Sequence, residues 1–303
     1  MKKTFFLGLL LVSLFVLLPT NPVFAEGQTV PQESLTPDQW VGQTFVFLAM
    51  PANKQKEGYE IYPEKMAQRG FAGDPAADLP YANYFSKQVV ITDAIRITDT
   101  PYDYVIHMKV KSTGEKLVSR TFRGQLEGLG YLADREKARK QFVGKTIYSL
   151  HPALENILQD NGSYLKEMPL LPIGTPMEVI DVWDGMQSSL PVWLVARVNG
   201  SKVAIPMAYS WTNLPRNVWN GLPPWQDTFS LEDPRKKIGD SPELWNLIQS
   251  RNIKPGMTQY EVRISWGAPN RIETLTVDGL EETVWTYGDQ RLRFSGDRLI
   301  VIE

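Results

Sequence analysis

Runs of β-branched and aromatic residues, separated by polar turns, occupy most of the chain between residues 40 and 205. Such runs are typical of strands. They cover residues 40–48, 88–95, 104–110, 116–122, 177–183 and 192–198. Thr113-Gly114 and Asn199-Gly200 carry hairpin-turn chemistry, because glycine and asparagine accept positive φ. The pattern predicts antiparallel strands, with a long loop or partial helix at 51–84 and a short helix near 133–140.

A four-residue pattern recurs along this β-rich part. Val41-Gly-Gln-Thr44 is echoed by Val143-Gly-Lys-Thr146, and each copy is followed by a strand and then a hairpin. The repeated order predicts two β-rich modules, residues 38–132 and 133–226, each a small, partly open barrel of the Src-homology type. A divergent duplication is one explanation, and chance recurrence of four residues is the other.

The periodicity changes to a helical one near residue 241. Ser241 and Pro242 are the preferred N-cap and first helical residues. The second helix has a fuller set of signals: a turn glycine, a hydrophobic staple, a capping box, and a glycine and proline that end the helix. These positions are Gly256, Met257, Thr258, Glu261, Val262, Gly267 and Pro269. Four short strands with Asp-Gly and Gly-Asp turns follow. The sequence therefore predicts an α+β fold overall, with a C-terminal domain at 241–303.

This C-terminal pattern resembles the BamE/SmpA/OmlA family of small outer-membrane assembly proteins. The matching positions are Ile253, Gly256, Met257, Thr258, Glu261, Val262, Gly267, Ala268, Pro269, Glu282, Trp285, Thr286, Tyr287, Leu292, Phe294 and Gly296. The resemblance implies two helices followed by an antiparallel sheet, an envelope location, and protein–protein scaffolding in β-barrel assembly. Secreted β-lactamase inhibitor proteins share the layout, so an inhibitor-like role is an alternative.

The N-terminal residues have the features of a secretory signal. Lys2 and Lys3 precede an apolar run at 5–18, and Val23-Phe-Ala25 fits a cleavage site. A retained anchor is the alternative, although the run is shorter than the roughly 20 residues that span a bilayer. The sequence predicts a signal peptide at 1–25, a linker at 26–37, and no transmembrane segment in the mature chain. Since the chain has no cysteine, lipidation is excluded, and a soluble protein of the periplasm or cell envelope is expected.

Charge and motif content narrow the function further. Lysines and arginines number 32 and acids 34, and a balance this close argues against general nucleic-acid binding. The only histidines are His107 and His151, and no nucleophile, metalloprotease or phosphate-loop motif is present. We therefore expect no enzyme activity, no cofactor and no metal. The alternative is an enzyme with a carboxylate site, which a deep pocket with converging Asp and Glu would favour.

The candidate binding residues are aromatic. Trp211, Trp219 and Trp225 fall within a tryptophan- and proline-rich stretch, followed by a predicted linker at 227–240. An exposed aromatic ledge there would bind a glycan such as peptidoglycan, or a peptide. The competing interpretation is a stiff connector whose rings pack inward. On the C-terminal domain, the resemblance directs attention to the sheet face around Trp285 and Tyr287. The leading hypothesis is an envelope protein that binds another envelope protein.

Overall fold

The computed structural model describes residues 33–69, 78–150, 158–159, 171–187, 190–215, 224–239, 241–277 and 279–303. The described chain is α+β, with three antiparallel sheets and few helices, which confirms the predicted fold class. The predicted signal peptide at 1–25 lies outside the described residues, as does most of the linker at 26–37. None of the described helices is long and apolar enough to cross a membrane.

The first sheet has six strands in the order β2-β5-β4-β3-β1-β6. They are β1 Thr44–Phe47, β2 Tyr62–Pro63, β3 Gln88–Arg96, β4 Tyr104–Val110, β5 Lys116–Arg120 and β6 Leu129–Tyr131. Its core is rich in aromatic side chains, with Trp40, Phe45, Phe47 and Tyr59 fully buried. The segment predicted as loop or partial helix contains β2, a 3-10 helix at Glu64–Arg69 and α1 at Tyr81–Tyr84.

The second sheet also has six strands, in the order β12-β7-β9-β10-β11-β8. They are β7 Thr146–Ser149, β8 Leu158–Gln159, β9 Pro176–Gln187, β10 Leu190–Val198, β11 Ser201–Met207 and β12 Phe229–Ser230. α2 (Leu132–Phe142) connects the two sheets, and its buried Ala138 and Phe142 belong to the second core. α3 (Trp225–Thr228) and α4 (Arg235–Ile238) flank β12.

The two sheets have the same connectivity. If β7–β12 are matched in order to β1–β6, the strand orders coincide. The repeated Val-Gly-x-Thr pattern occupies matched turns, with Gly42 at φ 83° and Gly144 at φ 76°. Gly42 N donates to Ile91 O, and Gly144 N donates to Val179 O, both at 2.9 Å. Duplication stays a prediction, as does the barrel-like curvature, and the shared connectivity supports duplication.

The same turns correct one predicted boundary. The strand predicted from residue 40 begins at Thr44, and its counterpart in the second sheet begins at Thr146. Residues with positive φ cannot continue an extended strand, so the glycine turn delays each strand. Trp40 and Phe142 instead lie before the turns, where both are fully buried.

A buried polar joint connects the two sheets. The Asn213 side chain accepts a hydrogen bond from Leu126 N (2.7 Å) and donates to Leu126 O and Leu129 O (3.0 and 2.8 Å). On the other side of the joint, Asp134 of α2 is fully buried. Its Oδ2 accepts from Ser210 N (3.2 Å) and Ser210 Oγ (2.8 Å). Burial raises the pKa of Asp134 to about 7, although the bonds from Ser210 oppose the shift.

The C-terminal unit places two helices against a four-stranded meander. Its elements are α5 Pro242–Gln249, α6 Gln259–Trp266, β13 Arg271–Val277, β14 Leu280–Tyr287, β15 Gln290–Ser295 and β16 Arg298–Ile302. The predicted caps are confirmed: Ser241 accepts from Leu244 N, and Thr258 and Glu261 form a capping box. The staple residues Met257 and Val262 are both buried in the third core.

The helix ends as its sequence predicts. Gly267 is the C-cap residue of α6 with φ 86°, a conformation that favours glycine. Pro269 is buried just beyond it, before β13. Gly256 lies in the preceding turn with φ 92° and donates its N–H to Leu299 O of β16 at 2.8 Å. The predicted structural motif thus fixes both ends of α6.

The C-terminal unit is docked on the second sheet. Arg263 of α6 forms a two-pronged ion pair with Asp227 of α3, with both distances 2.6 Å. The Gln249 side chain bonds to Ile173 N (3.2 Å) and Ile173 O (2.7 Å), and Ile173 itself is buried in the third core. The C-terminal helices are therefore anchored by charge, backbone recognition and apolar packing together.

The segment predicted as a linker, 227–240, is part of this structure. Phe229 pairs with Ser149 at the sheet edge and is buried in the second core. Ile238 of α4 is buried in the third core. The prediction of a linker was wrong here, because charged residues dominate the segment while its few apolar side chains provide the contacts.

Candidate binding pocket

A cavity of about 570 Å³ opens at the seam between the first and second sheets. Most of its lining comes from the segment after β1 and from the turn before β6, and Met186 of β9 contributes from the second sheet. The lining residues are Ala49, Met50, Pro51, Lys54, Glu57, Gly58, Glu60, Asp78, Glu127, Gly128 and Met186. Concave sites that combine apolar lining with a few polar groups are typical of ligand binding.

Backbone contacts and two glycines shape the cavity. Leu48 N donates to Gly128 O at 2.8 Å, and Tyr59 Oη donates to Leu48 O at 2.6 Å. A Cβ atom at Gly128 would lie 2.7 Å from the Tyr59 ring, and one at Gly58 would lie 2.5 Å from Leu79 O. Both positions also have positive φ, so residues with side chains would displace the cavity wall.

Tyr59 lies beneath this wall as a fully buried ring. Burial raises its pKa above the ordinary tyrosine value. The hydroxyl therefore stays protonated and keeps donating to the backbone at Leu48. Tyr59 also stacks on Tyr81 at 6.0 Å between ring centroids, and Tyr81 stacks on Phe85 at 5.3 Å. This aromatic series extends from the pocket wall to the exposed Phe85 side chain.

The cavity carries an excess of negative charge. Its lining includes the carboxylates of Glu57, Glu60, Asp78 and Glu127, and the single ammonium of Lys54. Lys54 Nζ lies 3.4 Å from a Glu57 oxygen. No group of three His, Asp, Glu or Cys side chains in the described chain is placed to hold a metal ion. The arrangement suits an organic cation larger than a metal ion. Its charged group would contact the carboxylates, and its apolar part would contact Met50 and Met186.

The tryptophan ledge predicted from the sequence is not formed as expected. Trp211 is 1% exposed and packs with Ala208 and Leu214. Trp225 is half-buried, with its ring edge-on to Phe142 at 5.0 Å. Trp219 lies outside the described residues. Trp211 cannot serve on a surface ledge, because its segment passes through the joint between the sheets.

Trp285 and Tyr287 face the helices and not the solvent. Trp285 is 4% exposed in the third core. Tyr287 Oη donates to Gly267 O at 2.8 Å, and burial raises its pKa. The opposite sheet face carries the Glu282–Arg293 ion pair, at 2.7 Å. The prediction of a recognition surface around Trp285 and Tyr287 was wrong in this respect, because strand register sends their side chains inward.

Of the two histidines, the structure describes His107. His107 Nδ1 lies 3.2 Å from Glu64 Oε1 on the outer face of the first sheet. His151 lies outside the described residues. Sequence reasoning also missed the pocket, whose lining comes from distant segments without a motif. The only signal was the long irregular stretch after the first strand, since loops of that length are often functional.

No family model, curated protein or solved structure matches the chain.

Proposed function

We propose that the chain is a non-enzymatic interaction protein of the cell envelope, which binds a positively charged segment of a protein partner in this pocket. The observation that carries the proposal is the surplus of carboxylates around a cavity lined by Met50 and Met186. Carboxylates attract lysine and arginine head groups, while apolar lining packs against their aliphatic stems. Basic segments of proteins combine both features.

The exposure of the acids favours binding over catalysis. Glu57, Glu60 and Glu127 are all exposed, so their charges are available to a cationic ligand that approaches from the solvent. Asp134 has a raised pKa, but it is fully buried in the joint, where a substrate has no access. The pocket does bring carboxylates together, as the carboxylate-enzyme alternative requires, and the exposure of these three glutamates is the reason for preferring a binding function.

The envelope location rests on the sequence. The signal-like segment at 1–25 and the lack of cysteine are consistent with an exported, non-lipidated protein. The resemblance of 241–303 to the BamE/SmpA/OmlA family supports scaffolding of envelope proteins, including outer-membrane assembly. The peptidoglycan alternative relied on an exposed tryptophan ledge, and the burial of Trp211 removes part of that support.

Methionine-methyl NMR tests the proposal directly. The mature chain, labelled at the methyl groups of its methionines, is titrated with an acetylated peptide of alternating lysine and leucine. We expect the Met50 and Met186 signals to shift, because both side chains line the cavity, while the signal of the buried Met177 stays in place. A matched glutamate–leucine peptide is the ligand control.

Two variants complete this test. The double substitution Glu57→Gln and Glu60→Gln removes two charges and should weaken binding of the lysine peptide. Glu136→Gln, at an exposed position of α2, should not. Equal shifts with the acidic peptide, or no shift of either methionine, would count against the proposed function.

A further inference from the structure

The second sheet has a surface equivalent to the one at the pocket. On the second sheet, the C-terminal helices cover that surface. Leu48 N donates to Gly128 O at 2.8 Å, and the matched bond runs from Leu150 N to Thr228 O at 2.9 Å. Gly128 and Thr228 therefore correspond, each directly before the last strand of its sheet. By this correspondence, Glu127 of the pocket matches Asp227, which holds Arg263 of α6.

A second pair of positions corresponds in the same way. Ser86 N donates to Phe47 O at 3.0 Å, and Gly174 N donates to Ser149 O at 2.7 Å. Ser86 and Gly174 also share positive φ, at 63° and 80°. The residues before them, Phe85 and Ile173, thus occupy equivalent places, each three residues before a long strand, β3 or β9.

The occupant of the second sheet touches both of its positions. Asp227 accepts two hydrogen bonds from the Arg263 guanidinium, both at 2.6 Å. Ile173 is 2% exposed and packs in the third core, to which α5 contributes Ile248 and α6 contributes Val262 and Ile264. A single docked unit thus supplies both the cation and the apolar core around Ile173.

The same two positions are open on the first sheet. Glu127 is exposed in the pocket lining, and Phe85 is 44% exposed. The chain's own C-terminal helices are already engaged on the second sheet, so they do not supply the occupant of the first. The negative surplus of the pocket makes a cationic occupant complementary in charge.

We propose that the first sheet docks an arginine-bearing α-helical segment of a protein partner at this pocket, with the arginine on Glu127 of the pocket lining and an apolar side chain against Phe85 outside it. This inference rests on the proposed function and specifies the partner. Arginine is preferred to lysine because its planar guanidinium can bond both oxygens of one carboxylate. The partner helix would imitate the contacts that α6 and α5 make with the second sheet.

A peptide derived from the chain itself is a defined probe. A stapled helical peptide with the sequence of residues 257–268, which spans α6, is added to the full mature protein labelled at its methionine methyls. We expect shifts of Met50 and Met186 without a shift of Met257, whose place in the third core reports on the docked C-terminal unit. A Met257 shift would mean that the peptide displaces that unit, and would overturn the inference.

Matched reagents isolate each contact. Replacing the peptide's arginine by citrulline, which keeps the shape and removes the charge, should weaken binding about tenfold or more, as expected for a charged hydrogen bond. Glu127→Gln in the protein should have a similar effect. Phe85→Ala should weaken binding several-fold, and Glu136→Gln should leave it unchanged.

The outcomes separate this inference from the broader proposal. If the lysine–leucine peptide shifts Met50 and Met186 but the helical peptide does not, the pocket binds cations and the helix inference is wrong. The inference is equally wrong if an unstapled peptide with a central proline binds as well as the helix, or if Glu127→Gln and Phe85→Ala leave helix binding unchanged. If neither peptide shifts the two signals, the proposed function fails as well.

Discussion

The two six-stranded sheets share one strand order. The surfaces next to their first strands differ, because one is covered and the other is exposed. On the second sheet, Ile173 and Asp227 are covered by the C-terminal helices. On the first sheet, Phe85 and Glu127 are both exposed, and Glu127 lines an open cavity. The same order of strand pairing is thus compatible with two different uses of the adjacent surface. The second sheet uses this surface to hold the C-terminal unit, and we propose that the first sheet uses it to bind a partner.

The comparison assumes that the buried joint holds the two sheets together. Within this joint, Asp134 should have the largest effect on the free energy of unfolding. Burial raises its pKa from 3.8 to about 7, so the native state holds the proton that the unfolded state releases first. Its contribution to stability is full below pH 4 and is lost as pH rises towards and through 7, by at most about 4 kcal/mol.

Urea unfolding between pH 4 and 8 checks this prediction. Asp134→Asn should flatten the decline in the free energy of unfolding, because the variant has no carboxyl to ionise. The neighbouring Glu33 and Lys137, which pair with each other, are present in both proteins and drop out of the difference. An unchanged slope in the variant would contradict the assignment.

Truncating the two equivalent apolar side chains should lower the free energy of unfolding by amounts that differ by about 3 kcal/mol. Ile173→Ala removes a side chain buried in the third core, and such changes cost about 2–5 kcal/mol. Phe85→Ala removes an exposed ring, and surface changes stay within about 0.5 kcal/mol. Guanidinium unfolding monitored by circular dichroism measures both. Similar losses in the two variants would mean that Phe85 is not the free counterpart of Ile173.

The ion pair that docks the C-terminal unit should contribute less. Arg263→Ala leaves Asp227, whose side chain is 10% exposed, without its partner, and we expect a loss of about 2 kcal/mol. Arg235→Ala is the matched control, because it breaks an exposed two-pronged pair with Asp233 that is worth under about 1 kcal/mol. Differential scanning calorimetry should show the larger drop in Tm for Arg263→Ala, and a reversed order would refute the docking role.

The smallest effect tests whether the two turns are equivalent. Gly42 and Gly144 both have positive φ with open space where a Cβ would be. Alanine at either position should therefore cost only the backbone strain, about 1 kcal/mol. Equal losses in urea unfolding would support matched turns. A loss at one position several times larger than at the other would argue against them.

The sequence predicted elements best where local chemistry defines both ends. The C-terminal helices and meander follow from caps and turns within a few residues, such as Thr258, Glu261 and Gly267. The second module was harder, because Phe229 and Ser230 form only a two-residue strand. A strand that short has no periodicity, and its pairing with β7 depends on residues far away in the sequence.

The candidate site could not be predicted for a related reason. Its lining brings together Met50, Glu127 and Met186, which no sequence spacing connects. Trp211 was ambiguous from the start, since a tryptophan beside prolines fits both a ledge and a packed connector. Its burial depends on the joint between the sheets, a tertiary contact that no local pattern indicates.

The shared strand order also bears on how the chain folds. Adjacent units with one connectivity can exchange strands during folding, and such misassembly is a known failure of repeat and multidomain proteins. The equivalent strands β1 and β7 read Thr-Phe-Val-Phe and Thr-Ile-Tyr-Ser, so they pack into cores of different shape. The difference in sequence between the two sheets thus favours pairing of each strand within its own sheet as the polypeptide folds.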